Sequence, residues 1–159
     1  MSWNGFEHNR LFVRQPEGYL EAGYPRGLGG EADARNVIAD DFDGDGRIDL
    51  IIAEAERGEL SARVMRNTGA SEGHFITVAL EGDAHAAPFG AQITLRTDQG
   101  PRAAAVIAGD SFASQSRPMH HFGLGRAKPL SVEVRWPDGR QTKVDAPPID
   151  KLLRVRPPK

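Results

Sequence analysis

Apolar and polar side chains alternate with a period of two along most of this chain. Ile76, Val78 and Leu80 alternate with Thr77, Ala79 and Glu81. Ala91, Ile93 and Leu95 alternate with Gln92, Thr94 and Arg96, and Val132, Val134 and Trp136 with Ser131, Glu133 and Arg135. A strand sends successive side chains to opposite faces, so each run predicts a strand with one face buried. Pro137-Asp138-Gly139 is a turn signal leading into Gln141-Thr142-Lys143-Val144, and Leu153 and Val155 supply a last short strand. No window sustains a helical apolar stripe for three turns. Residues 68–159 are therefore expected to form an antiparallel β-sandwich.

The first part of the chain also reads as short strands and turns. Arg10-Leu11-Phe12-Val13-Arg14 alternates, Gln15-Pro16-Glu17-Gly18 turns it, and Tyr19-Leu20 follows. A glycine-rich loop lies around Gly27-Leu28-Gly29-Gly30. Asn36-Val37-Ile38-Ala39 and Leu50-Ile51-Ile52-Ala53 are apolar runs rich in β-branched residues, and Arg63-Val64-Met65-Arg66 is a last strand. That is about four strands, the content of one β-propeller blade. Asn67-Thr68-Gly69-Ala70-Ser71-Glu72-Gly73 breaks the pattern and marks a boundary between residues 1–67 and 68–159. The fold class expected is all-β: one propeller-blade-like repeat followed by a sandwich.

Between the two apolar runs sits Asp41-Phe42-Asp43-Gly44-Asp45-Gly46-Arg47-Ile48-Asp49, with carboxylates at positions 1, 3, 5 and 9. Alternate side chains of a tight loop converge on one point, and a hard divalent cation takes six to eight oxygens. Gly46 permits a sharp bend that lets a carbonyl, that of Arg47, complete the ring. Without a cation, four carboxylates this close repel one another. The spacing points to a Ca2+ site built from Asp41, Asp43, Asp45, Arg47 and Asp49; the bland alternative is an Asp/Gly-rich surface turn. It is not an EF-hand, which needs a bidentate Glu at position 12, where this chain has Ile52, and helices on both sides.

Composition narrows the classes. The 159 residues allow one ordinary domain or two small ones, and 18 Gly and 11 Pro favour many turns. With no cysteine, disulfides, zinc–thiolate sites, iron–sulfur clusters and Cys nucleophiles are excluded. No apolar run approaches the length of a membrane-spanning helix. Met1-Ser2-Trp3-Asn4-Gly5 has neither a basic region nor an apolar stretch, so no signal peptide is expected here. The net charge of −2 hides an asymmetry: −5 over residues 1–67 and +3 over residues 68–159. The positive excess is too weak to argue for nucleic acid.

The strand–loop–strand pattern D-x-D-x-D-G-x-x-D resembles the calcium loop of FG-GAP/VCBS repeats, which build integrin-type β-propellers. Four motifs further on occur in order: Pro88-Phe89-Gly90-Ala91-Gln92-Ile93, Gly109-Asp110-Ser111-Phe112-Ala113-Ser114-Gln115-Ser116, His121-Phe122-Gly123-Leu124-Gly125, and Val134-Arg135-Trp136-Pro137-Asp138-Gly139. Together they resemble the ASPIC/UnbV domain, which follows such repeats in the cartilage acidic protein family and its bacterial relatives. Asn9-Arg10-Leu11-Phe12 with the acidic loop resembles the final repeat before that domain. The family usually carries several repeats, and this chain has one. The resemblance implies an extracytoplasmic setting, where calcium is plentiful.

Other candidate chemistry is weaker. His8, His74, His85, His120 and His121 show no metal spacing, and His121 reads as structural. Ser111, Ser114 and Ser116 lack a nucleophile elbow, and Gly123 and Gly125 lack the strand–helix setting of a phosphate loop. Glu54, Glu56 and Glu59 read as a solvated face, and Trp136 as core. Trp3, Phe6 and Tyr24 are candidates for an exposed aromatic surface. The resulting expectation is a non-enzymatic, calcium-binding interaction module, a subunit or accessory of a larger assembly. It would dock on a protein partner through its N-terminal segment, by an open edge such as Leu11–Arg14 or Arg63–Arg66 with Phe6 and Phe12. The rivals are a carbohydrate-binding module and a hydrolase with a structural calcium.

Overall fold

A computed structural model describes residues 8–56, 59–70, 73–109 and 114–159. Trp3, Phe6 and Ser111 lie outside the described residues, as does the side chain of Glu56. The described residues form strands and turns with no helix. They divide into two compact units: Met1–Ile38 with Leu50–Met65, and Ala39–Asp49 with Arg66–Lys159.

In the first unit, β1 (Phe12–Gln15) and β2 (Gly18–Glu21) form an antiparallel ribbon, with Gln15 opposite Gly18 across the Pro16-Glu17 turn. β3 (Asp33–Asp40), β4 (Asp49–Glu56) and β5 (Glu59–Met65) form a three-stranded sheet in that order, the outer ends of β3 and β4 running into the second unit. β4 and β5 are antiparallel, with Ile51 opposite Val64, Ala53 opposite Ala62 and Ala55 opposite Leu60. Directly opposed residues share a face. One face of this pair is therefore wholly apolar: Ile51, Ala53, Ala55, Leu60, Ala62 and Val64. The other carries Ile52 and Glu54 against Ser61 and Arg63. Glu54 is a correction to the expected solvated face. It is 3 % exposed, and its Oε2 accepts from the Arg63 guanidinium at 2.8 Å. Strand period explains this: Glu54 falls two residues after Ile52, on the buried side. Glu59 is exposed as expected.

The second unit holds seven strands: β6 (His74–Leu80), β7 (Gln92–Thr97), β8 (Gly100–Ala105), β9 (Met119–Gly125), β10 (Pro129–Arg135), β11 (Gln141–Asp145) and β12 (Lys151–Val155). They build a four-stranded sheet in the order β11-β10-β7-β8 and a three-stranded sheet in the order β12-β6-β9. Their inner faces meet in one core of Ile76, Val78 and Leu80 from β6, Ile93 and Leu95 from β7, Phe122 and Leu124 from β9, Val132 and Val134 from β10, with Trp136 and Val155. Each such side chain stabilises the fold by about 1.5–3 kcal/mol relative to exposure. Trp136 is 1 % exposed and its indole N–H donates to Thr142 Oγ1 at 2.9 Å, so it is core as the alternation predicts. The expected antiparallel sandwich needs one correction. All three pairs of the larger sheet are antiparallel, as is β6–β9, but β12 runs parallel to β6. The chain leaves the edge of one sheet at β11 and enters the edge of the other at β12, a sheet-to-sheet crossing that fixes direction independently of any hairpin.

Candidate metal centre

The acidic loop joins β3 to β4, yet it packs with the second unit. Its shape is held by its own carboxylates. Asp41 Oδ1 accepts the backbone N–H groups of Gly44 (2.8 Å) and Asp45 (3.0 Å), and Oδ2 accepts that of Gly46 (2.9 Å). Asp43 Oδ1 accepts the N–H of Asp45, and Asp45 Oδ1 that of Arg47. Asp49 is 3 % exposed and ties two segments together: Oδ2 accepts from the N–H of Phe42 at 3.3 Å, Oδ1 from that of Asn67 at 2.7 Å. Gly44 and Gly46 sit at φ of +78° and +85°, the left-handed region that glycine enters without strain.

The loop brings together Asp41, Asp43 and Asp49, each offering a carboxylate oxygen within 4.8 Å of the others. Two ligands on opposite sides of one Ca2+ lie about 4.6–5.2 Å apart, twice a Ca–O bond. The spacing and the all-oxygen donor set therefore fit a hard cation. Asp45 is not among these three: its Oδ2 pairs with the Arg47 guanidinium and is 3.4 Å from Nη2 of Arg66. Arg47 also donates from Nε to the carbonyl of Asn67 at 2.8 Å. Arg66 Nε donates to Asp43 Oδ2 at 2.6 Å. Removal from water pushes the Asp43 carboxyl up, but the Arg66 hydrogen bond, the Asp45 N–H and the Arg66 charge outweigh it and hold the group below its usual value. The same hydrogen bond and charge hold the Arg66 guanidinium above its usual value.

The loop rests on the outer face of the β12-β6-β9 sheet. The Phe75 ring lies against Gly46, where any Cβ would overlap it. Phe75 is stacked on His121 with ring centroids 5.2 Å apart, and His121 Nδ1 lies 3.0 Å from Thr77 Oγ1. Arg117 grips Asp40 Oδ2 through Nε (3.0 Å) and Nη2 (2.6 Å). Burial depresses the His121 pKa, partly countered by the charges of Asp41 and Asp40. His120 is depressed by burial and by His121. A solvent-open groove of about 430 Å³ runs beside the loop, with Asp41, Phe75, Thr77 and Arg117 in its walls, so Asp41 is reached from water. Arg66, Asn67, Phe75 and Arg117 all shape the site, and local sequence pattern flags none of them for it.

Residues 82–159 match the family model described as ASPIC and UnbV, and form an ASPIC and UnbV domain. The chain is also homologous to cartilage acidic protein 1. It is 33 % identical over 127 residues, 79 % of this chain, to the Mus musculus protein, and 32 % identical over 127 residues to that of Homo sapiens. It is 29 % identical over 147 residues, 88 % of this chain, to the Xenopus tropicalis protein. It covers 18 %, 17 % and 23 % of those three proteins, so it spans about a fifth of the length of the curated relatives it matches. No helix among the described residues is long and apolar enough to cross a membrane.

Proposed function

We propose that this chain is a non-enzymatic interaction module of an extracytoplasmic assembly, with a calcium ion stapling its acidic loop. The observation that carries the interaction reading is the apolar face of β4 and β5. Leu60 is 83 % exposed, and Val64, Phe12, Tyr19 and Leu20 are exposed with it in the first unit. Among the described residues, that unit's buried hydrophobics are only Ala22 and Ile52. Exposed large apolar side chains gathered on one sheet face are a feature of interaction sites. The repeat-like strand content of the segment supports the same reading, because repeats of this kind bury their faces against neighbours. The name of these relatives, which places them in cartilage, supports the extracytoplasmic setting.

Asp41, Asp43 and Asp49 would hold the calcium, each by one or two oxygens, with water and the Arg47 carbonyl completing the six to eight that Ca2+ takes. Bound to the folded state alone, the ion adds about 2.7 kcal/mol at a hundredfold excess over Kd. For a chain of this size that is roughly 5–11 °C in Tm. Calcium should produce that rise in the wild-type protein, and Asp43→Asn should largely remove it; equal shifts in both would overturn the site. For the interaction face, the folded protein should bind a hydrophobic dye, and Leu60→Ser with Val64→Ser should reduce the signal at unchanged Tm. A monomer at high concentration that binds no dye would overturn that part. The exposed Tyr19 and Tyr24 favour carbohydrate as the alternative ligand, read out by glycan-array binding.

A further inference from the structure

We propose that Arg66 is the built-in counter-cation of the acidic loop, and that it sets the loop's metal affinity by competing with the ion for Asp43. The inference rests on the calcium reading above. The three clustered carboxylates are not equally committed. Asp41 spends its oxygens on three backbone N–H groups, and Asp49 on two. Both are fixed by the fold of the loop. Asp43 is the exposed member, and its Oδ2 is held by a side chain that can move: Arg66 donates to it from Nε at 2.6 Å, while Nη2 lies 3.4 Å from Asp45.

The Arg66 side chain is 63 % exposed, so it can swing into water without a desolvation cost. Arg47 already pairs with Asp45, which keeps that carboxylate occupied when Arg66 leaves. A divalent ion entering between Asp41, Asp43 and Asp49 competes with Arg66 for the Asp43 carboxylate and also meets the positive charge of Arg66. Both effects oppose the metal. In return, Arg66 relieves the repulsion among the carboxylates when no metal is present. Removing the guanidinium should therefore tighten metal binding. If Arg66 instead orients Asp43 for the ion, its removal should loosen it.

The test is calorimetric titration of the full chain with Ca2+, in wild type, Arg66→Gln and Arg66→Lys, with melting in chelator to check folding. An exposed ion pair of this kind corresponds to a factor of about two to five in affinity. Arg66→Gln should bind Ca2+ tighter by that factor at low salt, and Arg66→Lys should fall between it and wild type. The advantage should shrink in 1 M salt, where charges are screened within about 3 Å. In the wild type, the Arg66 Nε–H resonance should move when Ca2+ is added. Unchanged or weaker binding by Arg66→Gln, or an unmoved Nε–H signal in a wild type that binds, overturns the inference alone. A wild type that takes up no Ca2+ at millimolar concentration overturns the calcium reading as well.

Discussion

Replacing Gly46 by alanine separates two costs that the acidic loop imposes on its glycines. Gly44 and Gly46 both sit at positive φ, where an L-residue is disfavoured by about 1–2 kcal/mol. They differ in their surroundings. A Cβ on Gly44 meets nothing within 4 Å, whereas one on Gly46 runs into the Phe75 ring, with Cγ only 3.2 Å away and the ring edge closer. Forcing a methyl into packed space costs about 1–3 kcal/mol more. Gly44→Ala should thus cost about 1–2 kcal/mol, and Gly46→Ala about 2–5 kcal/mol, the sum of both terms. Urea unfolding followed by tryptophan fluorescence is a suitable assay, because the buried Trp136 reports the unit that contains the loop. A double-mutant cycle isolates the contact. In a Phe75→Ala background Gly46→Ala should cost no more than Gly44→Ala, leaving a coupling of about 1–3 kcal/mol. Equal costs for the two alanine variants, or zero coupling, would refute the placement of the loop on the outer face of β6.

The core and the exposed apolar face predict opposite responses to truncation. Ile93→Ala, fully buried between the sheets, should lower stability to urea by about 2–5 kcal/mol, whereas Leu60→Ala should stay within about 0.5 kcal/mol. Acid should weaken the protein before its carboxylates protonate. His120 and His121 both have depressed pKa values, so the unfolded chain binds their protons more readily than the folded one. Stability is full above the unfolded value of about 6.5 and falls as pH drops through it towards the folded values. Melting between pH 7.5 and 5 should show this decline in the wild type and a shallower one in His121→Gln.

Most sandwich strands were legible from their period, but β9 was not, although Phe122 and Leu124 bury one of its faces. Ile76/Val78/Leu80, Ile93/Leu95 and Val132/Val134/Trp136 all point inward as their period predicts. β8 was not, because Gly100-Pro101-Arg102-Ala103-Ala104-Ala105 has no large apolar residue to set a period. The parallel pairing of β12 with β6 was illegible for a different reason: partner choice between sheets leaves no trace in either strand's own pattern. In the acidic loop, spacing alone singled out the carboxylates, but not their division into three that converge and one, Asp45, that faces two arginines. Those arginines come from two different places in the sequence. Glu54 shows the converse failure. Its charge suggested solvent, while its place in the strand period and the cross-strand Arg63 put it inside.

The pairing of β12 with β6 also sets the timing of assembly. Lys151 lies opposite Ile76, so the strand that opens the sandwich waits for the strand that completes its sheet. At about 5–20 residues per second, a ribosome needs roughly 4–15 s to synthesise the intervening 75 residues. During that interval His74-Phe75-Ile76-Thr77-Val78-Ala79-Leu80, an almost uncharged run of strong strand formers, has one hydrogen-bonding edge without its native partner. Such a nascent edge invites pairing with other chains. Non-local closure of this kind also slows folding relative to hairpin-built sheets. Until β12 emerges, β6 has to be kept apart from its like, a kinetic demand that the finished, well-packed sandwich no longer displays.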